Sequence, residues 1–178
     1  MLTPPNEVLA RETRRLVTDM HVEWDAPHQF VTLHWDGNKI SYGVVACIMT
    51  DIHPTQYPQL MAGFVREQSR RRDLPPMCAC AVQVESHGVT EPGPDASVAE
   101  RLAYDRDRVG RTFHQRPDAI ESADAWCADS YGFLWAAAKR RDDPRTIVER
   151  FYKPGTAPGG HLIAAVLAAA RLPVVAGN

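Results

Sequence analysis

The chain reads as an α+β protein in which a mainly antiparallel sheet, built of two hairpin or meander units, is covered by three to four helices. Three observations predict this. Residues 29–49 alternate apolar and polar side chains around Asp36-Gly37-Asn38, the pattern of a tight hairpin. Residues 124–152 repeat short aromatic or β-branched runs between turn residues. Segments with apolar residues at helical spacing stand before, between and after these strands. The implied order is α-ββ-α-β, a long connection, then βββ-α, which lays helices over an antiparallel sheet.

Each element follows from local chemistry. Pro4-Pro5-Asn6 precedes Val8, Leu9, Leu16, Val17 and Met20 on one helical face, with Arg11, Arg14, Arg15 and Asp19 on the other. That helix should lie on a surface and end before residues 21–27. In the hairpin, Gly37 and Asn38 tolerate the positive φ of a tight turn. Phe30, Val31, Leu33, Trp35, Ile40, Tyr42, Val44 and Ile48 supply its apolar surface. Pro54-Thr55 opens a second helix, where Tyr57, Leu60, Met61, Phe64, Val65 and Gln68 follow i, i+3, i+4, i+7 spacing. It runs into Arg70-Arg71-Arg72, positive charge that suits the negative end of a helix dipole. Leu74-Pro75-Pro76 ends it, and residues 78–85 read as a strand.

Residues 90–111 form a long polar connection containing Pro92, Gly93 and Pro94, mixed charge and one short helix over 97–108. A connection of that length in a compact domain is functional, mobile or partner-bound. Residues 119–141 admit a helix on their alanines or strands on their turns and aromatics. Tyr131-Gly132 and Asp143-Pro144 stand at strand spacing, so strands are expected over 124–130, 133–140 and 146–152. Residues 153–160 make a Gly/Pro loop, and 161–171 a last helix with Leu162, Ile163, Val166, Leu167 and Ala170 on its apolar face.

Composition bounds the rest. At 178 residues and 19.8 kDa the chain suits one domain, 1–178, that buries roughly 70% of its unfolded surface. Hydrophobic residues at 44% and charged residues at 24% exclude a disordered chain or a disulfide scaffold. The net charge of −2 confines nucleic-acid binding to a local patch and disfavours it overall. Lysine occupies only positions 39, 139 and 153 among the twenty basic residues, the rest being arginine. With the many alanines, this bias fits a GC-rich coding sequence and an actinobacterial, phage or mobile-element origin. Neither a secretory leader nor a membrane span is expected, and Cys47, Cys78, Cys80 and Cys127 in apolar segments fit a reduced cytoplasmic protein.

Four sets of residues are candidates for chemistry. Lys153, Gly155, Gly159, Gly160 and His161 lie between a strand and a helix, where glycines and free N–H groups suit a phosphate. Gly155 and Gly160 have P-loop spacing, but His161 and Leu162 replace the phosphate lysine and the magnesium hydroxyl. The meander, glycine turn and helix over 126–171 resemble the pyrophosphate site of acyl-CoA-dependent N-acetyltransferases. That resemblance implies an acyl-CoA-like ligand, although the loop lacks the R/Q-x-x-G-x-G/A order of those enzymes. His21-Val-Glu23 with Pro76-Met-Cys78-Ala-Cys80 resembles the zinc deaminase pattern but spaces its cysteines by one residue instead of two. On a strand, Cys78 and Cys80 should point the same way, with Val82 and Val84, into the core.

Glu85, His87, His114, Asp118 and Glu121 flank the long connection and would form an acid/base or metal cluster if folding gathered them. Arg70, Arg71 and Arg72 on one side, and Arg106, Arg108 and Arg111 on the other, are candidate partner contacts. No serine stands in a nucleophile elbow, and neither a metal nor a cofactor is expected. The reading that remains is a non-enzymatic interaction or assembly protein that binds a protein partner or itself. The alternatives are an enzyme taking a phosphate-bearing ligand at 153–161 and a nucleic-acid binder using its arginines.

Overall fold

The computed structural model describes residues 3–18, 28–48, 53–69, 71, 73–110 and 112–172. The helices are α1 (Asn6–Thr18), α2 (Tyr57–Ser69), α3 (Val98–Gly110) and α4 (His161–Ala170). The strands are β1 (His28–Trp35), β2 (Ile40–Ile48), β3 (Met77–Gly88), β4 (Ile120–Asp129), β5 (Leu134–Arg140) and β6 (Ile147–Tyr152). They form one sheet in the order β2-β1-β3-β4-β5-β6 with every neighbouring pair antiparallel, so the α+β class is correct. Residues 119–141 take the strand alternative. Met20, residues 21–27 and the side chains of Val44, Cys47 and Ile48 lie outside the described residues.

The sheet is packed on both faces. α1 lies on one, burying Leu9, Leu16 and Val17 against Val31, Leu33, Cys127 and Trp135. α2 and α4 lie side by side on the other, where Met61, Val65, Val166 and Ala169 meet Phe30, Cys80, Val82 and Leu134. The alanines that blur the sequence pattern have a packing reason. Ala79, Ala81, Ala125, Ala128 and Ala137 line the middle strands and let helices approach closely from either side.

Two hairpin turns are fixed by aspartates. Asp36 Oδ1 accepts the amides of Asn38 and Lys39, both at 2.8 Å, while Gly37 takes φ 103°. Asp129 Oδ1 accepts the amides of Tyr131 at 3.0 Å and Phe133 at 2.9 Å, with Gly132 at φ 88°. Burial nevertheless raises the Asp129 carboxyl above its usual range. α1 is keyed to β2 by the Tyr42 hydroxyl, which donates to Glu12 Oε2 at 2.6 Å. Burial, reinforced by that carboxylate, pushes the Tyr42 phenol far upward.

One expectation about β3 is wrong. Cys80, Val82 and Val84 face α2 and α4, but Cys78 faces α1 beside Ala79 and Ala81. The cause is a register shift: Leu33 opposes Ala79 while His34 opposes Met77, so Cys78 is the extra residue of a bulge. Its thiol points to the Leu33 carbonyl at 3.3 Å. Burial pushes the Cys78 thiol up to about 12 and raises Cys80 and Cys127 as well, so all three stay protonated.

A polar pin ties β1 to the segment just before β3, on the α2 face. The Pro75 carbonyl can only accept, so His34 Nδ1 carries the proton donated to it at 2.7 Å. Nε2 then accepts from the Thr32 hydroxyl at 3.0 Å. Gly43 lies directly beside them: a Cβ there would sit 2.1 Å from Thr32 Oγ1 and 2.8 Å from both His34 Nε2 and Gln68 Oε1. We therefore expect Gly43→Ala to destabilise the fold by about 1–3 kcal/mol in denaturant titration, since the neighbours are buried and bonded.

The pin also sets a pH dependence. Burial, the largest influence, holds His34 below its ordinary 6.5, against the opposing pull of the Pro75 bond. Burial lowers His28 likewise. As pH falls through 6.5, the unfolded chain takes up protons that the folded chain refuses, so stability is complete above that value and declines below it. Melting temperatures at about pH 7.5 and about pH 5.5 should show the decline, and His34→Gln should reduce it.

Candidate interaction surface

The long connection between β3 and β4 is built as an arm. β3 pairs with β1 only from Met77 to Gln83, whereas it pairs with β4 out to Gly88. Beyond Gln83, β3 keeps only β4 beside it, while β4 stays paired with β5 as far as Ser122; only the ends of β3 and β4, near Gly88 and Ile120, continue past both, and α3 lies in the connection that joins them. Ser97 starts the helix with a reciprocal cap. Its amide donates to Glu100 Oε2 at 2.7 Å, and its hydroxyl accepts the Glu100 amide at 3.2 Å. Ser97-Val-Ala-Glu100 is the S-x-x-E signature, a start signal present in the sequence and passed over when the segment is judged by composition. At the other end, the Thr112 amide donates to the Asp107 carbonyl at 2.9 Å.

Two contacts tether α3 to the short segment 113–116 on its C-terminal side. The Tyr104 and Phe113 rings lie 5.3 Å apart, and Arg116 reaches Asp107 at 3.3 Å. The hydrogen bond from Arg106, joined by Arg116, outweighs burial and holds the Asp107 carboxyl below its usual range. Arg101 closes the inner side by donating to the Pro94 carbonyl. Asp107 is the buried residue of the helix. Outward, Val98, Leu102 and Val109 are 74%, 64% and 83% exposed. At 100° per residue, their i, i+4, i+11 spacing puts them within about 40° of one another, a single apolar stripe. Arg106 and Arg108 are also exposed on α3, whereas Arg111 lies outside the described residues.

The other sequence candidates are dispersed. Arg71 pairs with Asp73, and Arg70 and Arg72 lie outside the described residues, as do His21 and Glu23. Lys153, Gly155, Gly159 and Gly160 lie in an exposed loop before α4, and exposed His161 is the first residue of that helix. Gly155 at φ 83° and Gly160 at φ 147° need glycine for the backbone, which supplies a conformational reason for two of the three glycines. A Cβ on Gly159 would meet nothing within 4 Å. Of the acid/base set, His87 and His114 do meet, with ring centroids 6.0 Å apart. Asp118 is taken by Arg116 at 2.8 Å and Glu121 by Arg141 at 2.8 Å. Among the described residues no group of three or more His, Cys, Asp or Glu has a metal-binding arrangement.

A polar cluster that no sequence pattern singled out sits at the root of the arm. Ser122 donates to Asp124 Oδ2 at 3.0 Å, Ser86 donates to the same oxygen, and the two hydroxyls are 3.0 Å apart. Burial raises the Asp124 carboxyl despite both donors. The cross-strand register Ser86↔Ser122 with Val84↔Asp124 creates it, and no sequence spacing announces that pairing. Elsewhere, a groove of about 310 Å³ runs between α1 and β5–β6, lined by Ala10, Thr13, Trp135, Glu149 and Phe151 among others. No helix among the described residues is long and apolar enough to cross a membrane.

Comparison with family models, with curated proteins and with solved structures gave no match to this chain. The cap makes one local prediction. Ser97→Ala should weaken α3 by about 1 kcal/mol, seen as faster amide exchange across 98–110 with the sheet amides unchanged.

Proposed function

We propose that the protein is an interaction or assembly protein whose partner-binding element is α3. The observation that carries this reading is the apolar stripe Val98–Leu102–Val109, turned to solvent on a helix that joins neither core cluster. Apolar side chains on an element that contributes little to the core cost solubility without adding stability, and contiguous patches of this kind mark binding surfaces. Val98 and Leu102 have the i, i+4 spacing of the helix-in-groove mode, and Val109 lies two turns further along the same face. Arg101 and Asp105 on one side and Arg106 on the other flank the stripe with both signs of charge, so the complementary surface is an apolar groove with a mixed-charge rim.

The test is native mass spectrometry of untagged protein purified gently from its host, compared with Leu102→Glu and Val109→Glu. These exposed positions should leave stability within about 0.5 kcal/mol of the parent. The expected result is a complex of the parent with another protein that both substitutions abolish. A complex with another protein that is indifferent to both changes, or a parent chain that never brings another protein with it, would overturn the proposal.

A further inference from the structure

The free backbone groups of the last strand can be deduced from hydrogen bonds further in. The Asp129 amide donates to the Phe133 carbonyl at 3.1 Å, and the Arg141 amide to the Glu121 carbonyl at 2.8 Å. Odd-numbered residues of β4 and β5 therefore bond each other, and even-numbered residues of β5 turn toward β6. The register Ala136↔Arg150 then assigns the inward groups of β6 to even positions. The N–H and C=O groups of Ile147, Glu149 and Phe151 face away from the sheet. Two apolar side chains sit on the same strand: Phe151 is 45% exposed and Val148 47%. Phe151 extends an aromatic cluster, with ring centroids 5.6 Å from Phe133 and 5.4 Å from Trp135. β6 itself contains no proline or bulge to block a further strand.

We propose that β6 pairs antiparallel with β6 of a second copy of this chain, about a two-fold axis through Phe151. Charge selects both the occupant and the register. A two-fold that continues the sheet keeps residues of one face opposite residues of the same face, so only a few alignments exist. Centred on Glu149, the pairing sets that carboxylate against its own copy; centred on Arg150, it does the same with the guanidinium. Like charges directly opposite are destabilising. Centred on Val148, it sets Arg150 against Thr146 and Phe151 against Arg145, complementing neither charge. Centred on Phe151, it stacks the two phenyl rings and places Arg150 across from Tyr152 and Glu149 across from Lys153, twice over. Lys153 precedes Pro154, which favours the extended backbone this pairing needs. Phe151 then uses its outward N–H and C=O in the new ladder, and the Glu149 carbonyl accepts from the Lys153 amide of the second copy, whose own carbonyl already accepts from the Thr156 amide at 3.0 Å and hydroxyl at 2.9 Å.

This goes beyond the α3 reading and does not depend on it. The test is sedimentation equilibrium of the full chain over a concentration series, with Glu149→Lys, Lys153→Glu and the double reversal. Lys153 is exposed, whereas half-exposed Glu149 also meets Arg14 of its own chain at 3.7 Å; circular dichroism and melting are therefore compared with the parent for every variant, and Lys153→Glu alone carries the test if Glu149→Lys loses stability. The parent should dimerise, each single reversal should raise the dissociation constant at least about tenfold, and the double reversal should restore it. A parent monomeric at about 100 μM would overturn the proposal, as would a dimer insensitive to these reversals. A dimer abolished by Leu102→Glu instead would assign self-association to α3, overturning the β6 pairing alone.

Discussion

The unequal pairing of β3 governs the molecule. On one side β3 is matched to β1 for only part of its length, and on the other it follows β4 to its end. Where both neighbours are present, from Ala79 to Gln83, it is buried on both faces, and the burial reaches Met77 on one side and Val84 on the other. Beyond Val84 the side chains turn polar, with Glu85, Ser86 and His87, and burial falls away. A backbone group left without a partner in the interior costs far more than one facing water. The change of composition at Glu85 therefore decides where the packed layers stop.

Small residues and polar pins divide the remaining work. Alanine on the α1 face of β3 and on both faces of β4 and β5 gives little apolar area per residue, so much of the large apolar surface comes from the helices, from β1 and from Leu134 and Trp135. Such a surface specifies helix position loosely, because smooth walls accept more than one packing. Directional bonds supply the missing precision. Glu12 with Tyr42 fixes α1 against β2, and His34, held by Thr32 on its own strand, fixes β1 to Pro75 just before β3. The bulge at Cys78 belongs to the same region, lying opposite the Leu33–His34 step that carries this histidine.

Much of the fold was legible in the sequence because its punctuation is strong. Asp36-Gly37, Tyr131-Gly132 and Asp143-Pro144 mark real turns, and the helical spacing of Leu9, Leu16, Met61 and Val65 corresponds to buried faces. The rest depends on information that periodicity does not contain. A bulge moves one residue to the other face without altering the local pattern, so Cys78 and Cys80 seemed to share a side. The Ser86–Ser122–Asp124 cluster needs the register of two strands separated by the whole arm. The arginines were singled out by charge, yet the exposed stripe on α3 is made of valine and leucine, which composition alone assigns to a core.

Gly88 and Ile120 are direct cross-strand neighbours, although residues 89–119 lie between them. Topologically the arm is an insertion into a hairpin: the chain leaves the sheet and returns to the adjacent position. Sheet order, both cores and the two pins are specified by residues outside it. An insertion of this kind is free to lengthen, shorten or change its surface without renegotiating the packing beneath it, because the entropy of closing such a loop grows only slowly with length. Selection acting on recognition and selection acting on foldability therefore fall on separate stretches of this chain.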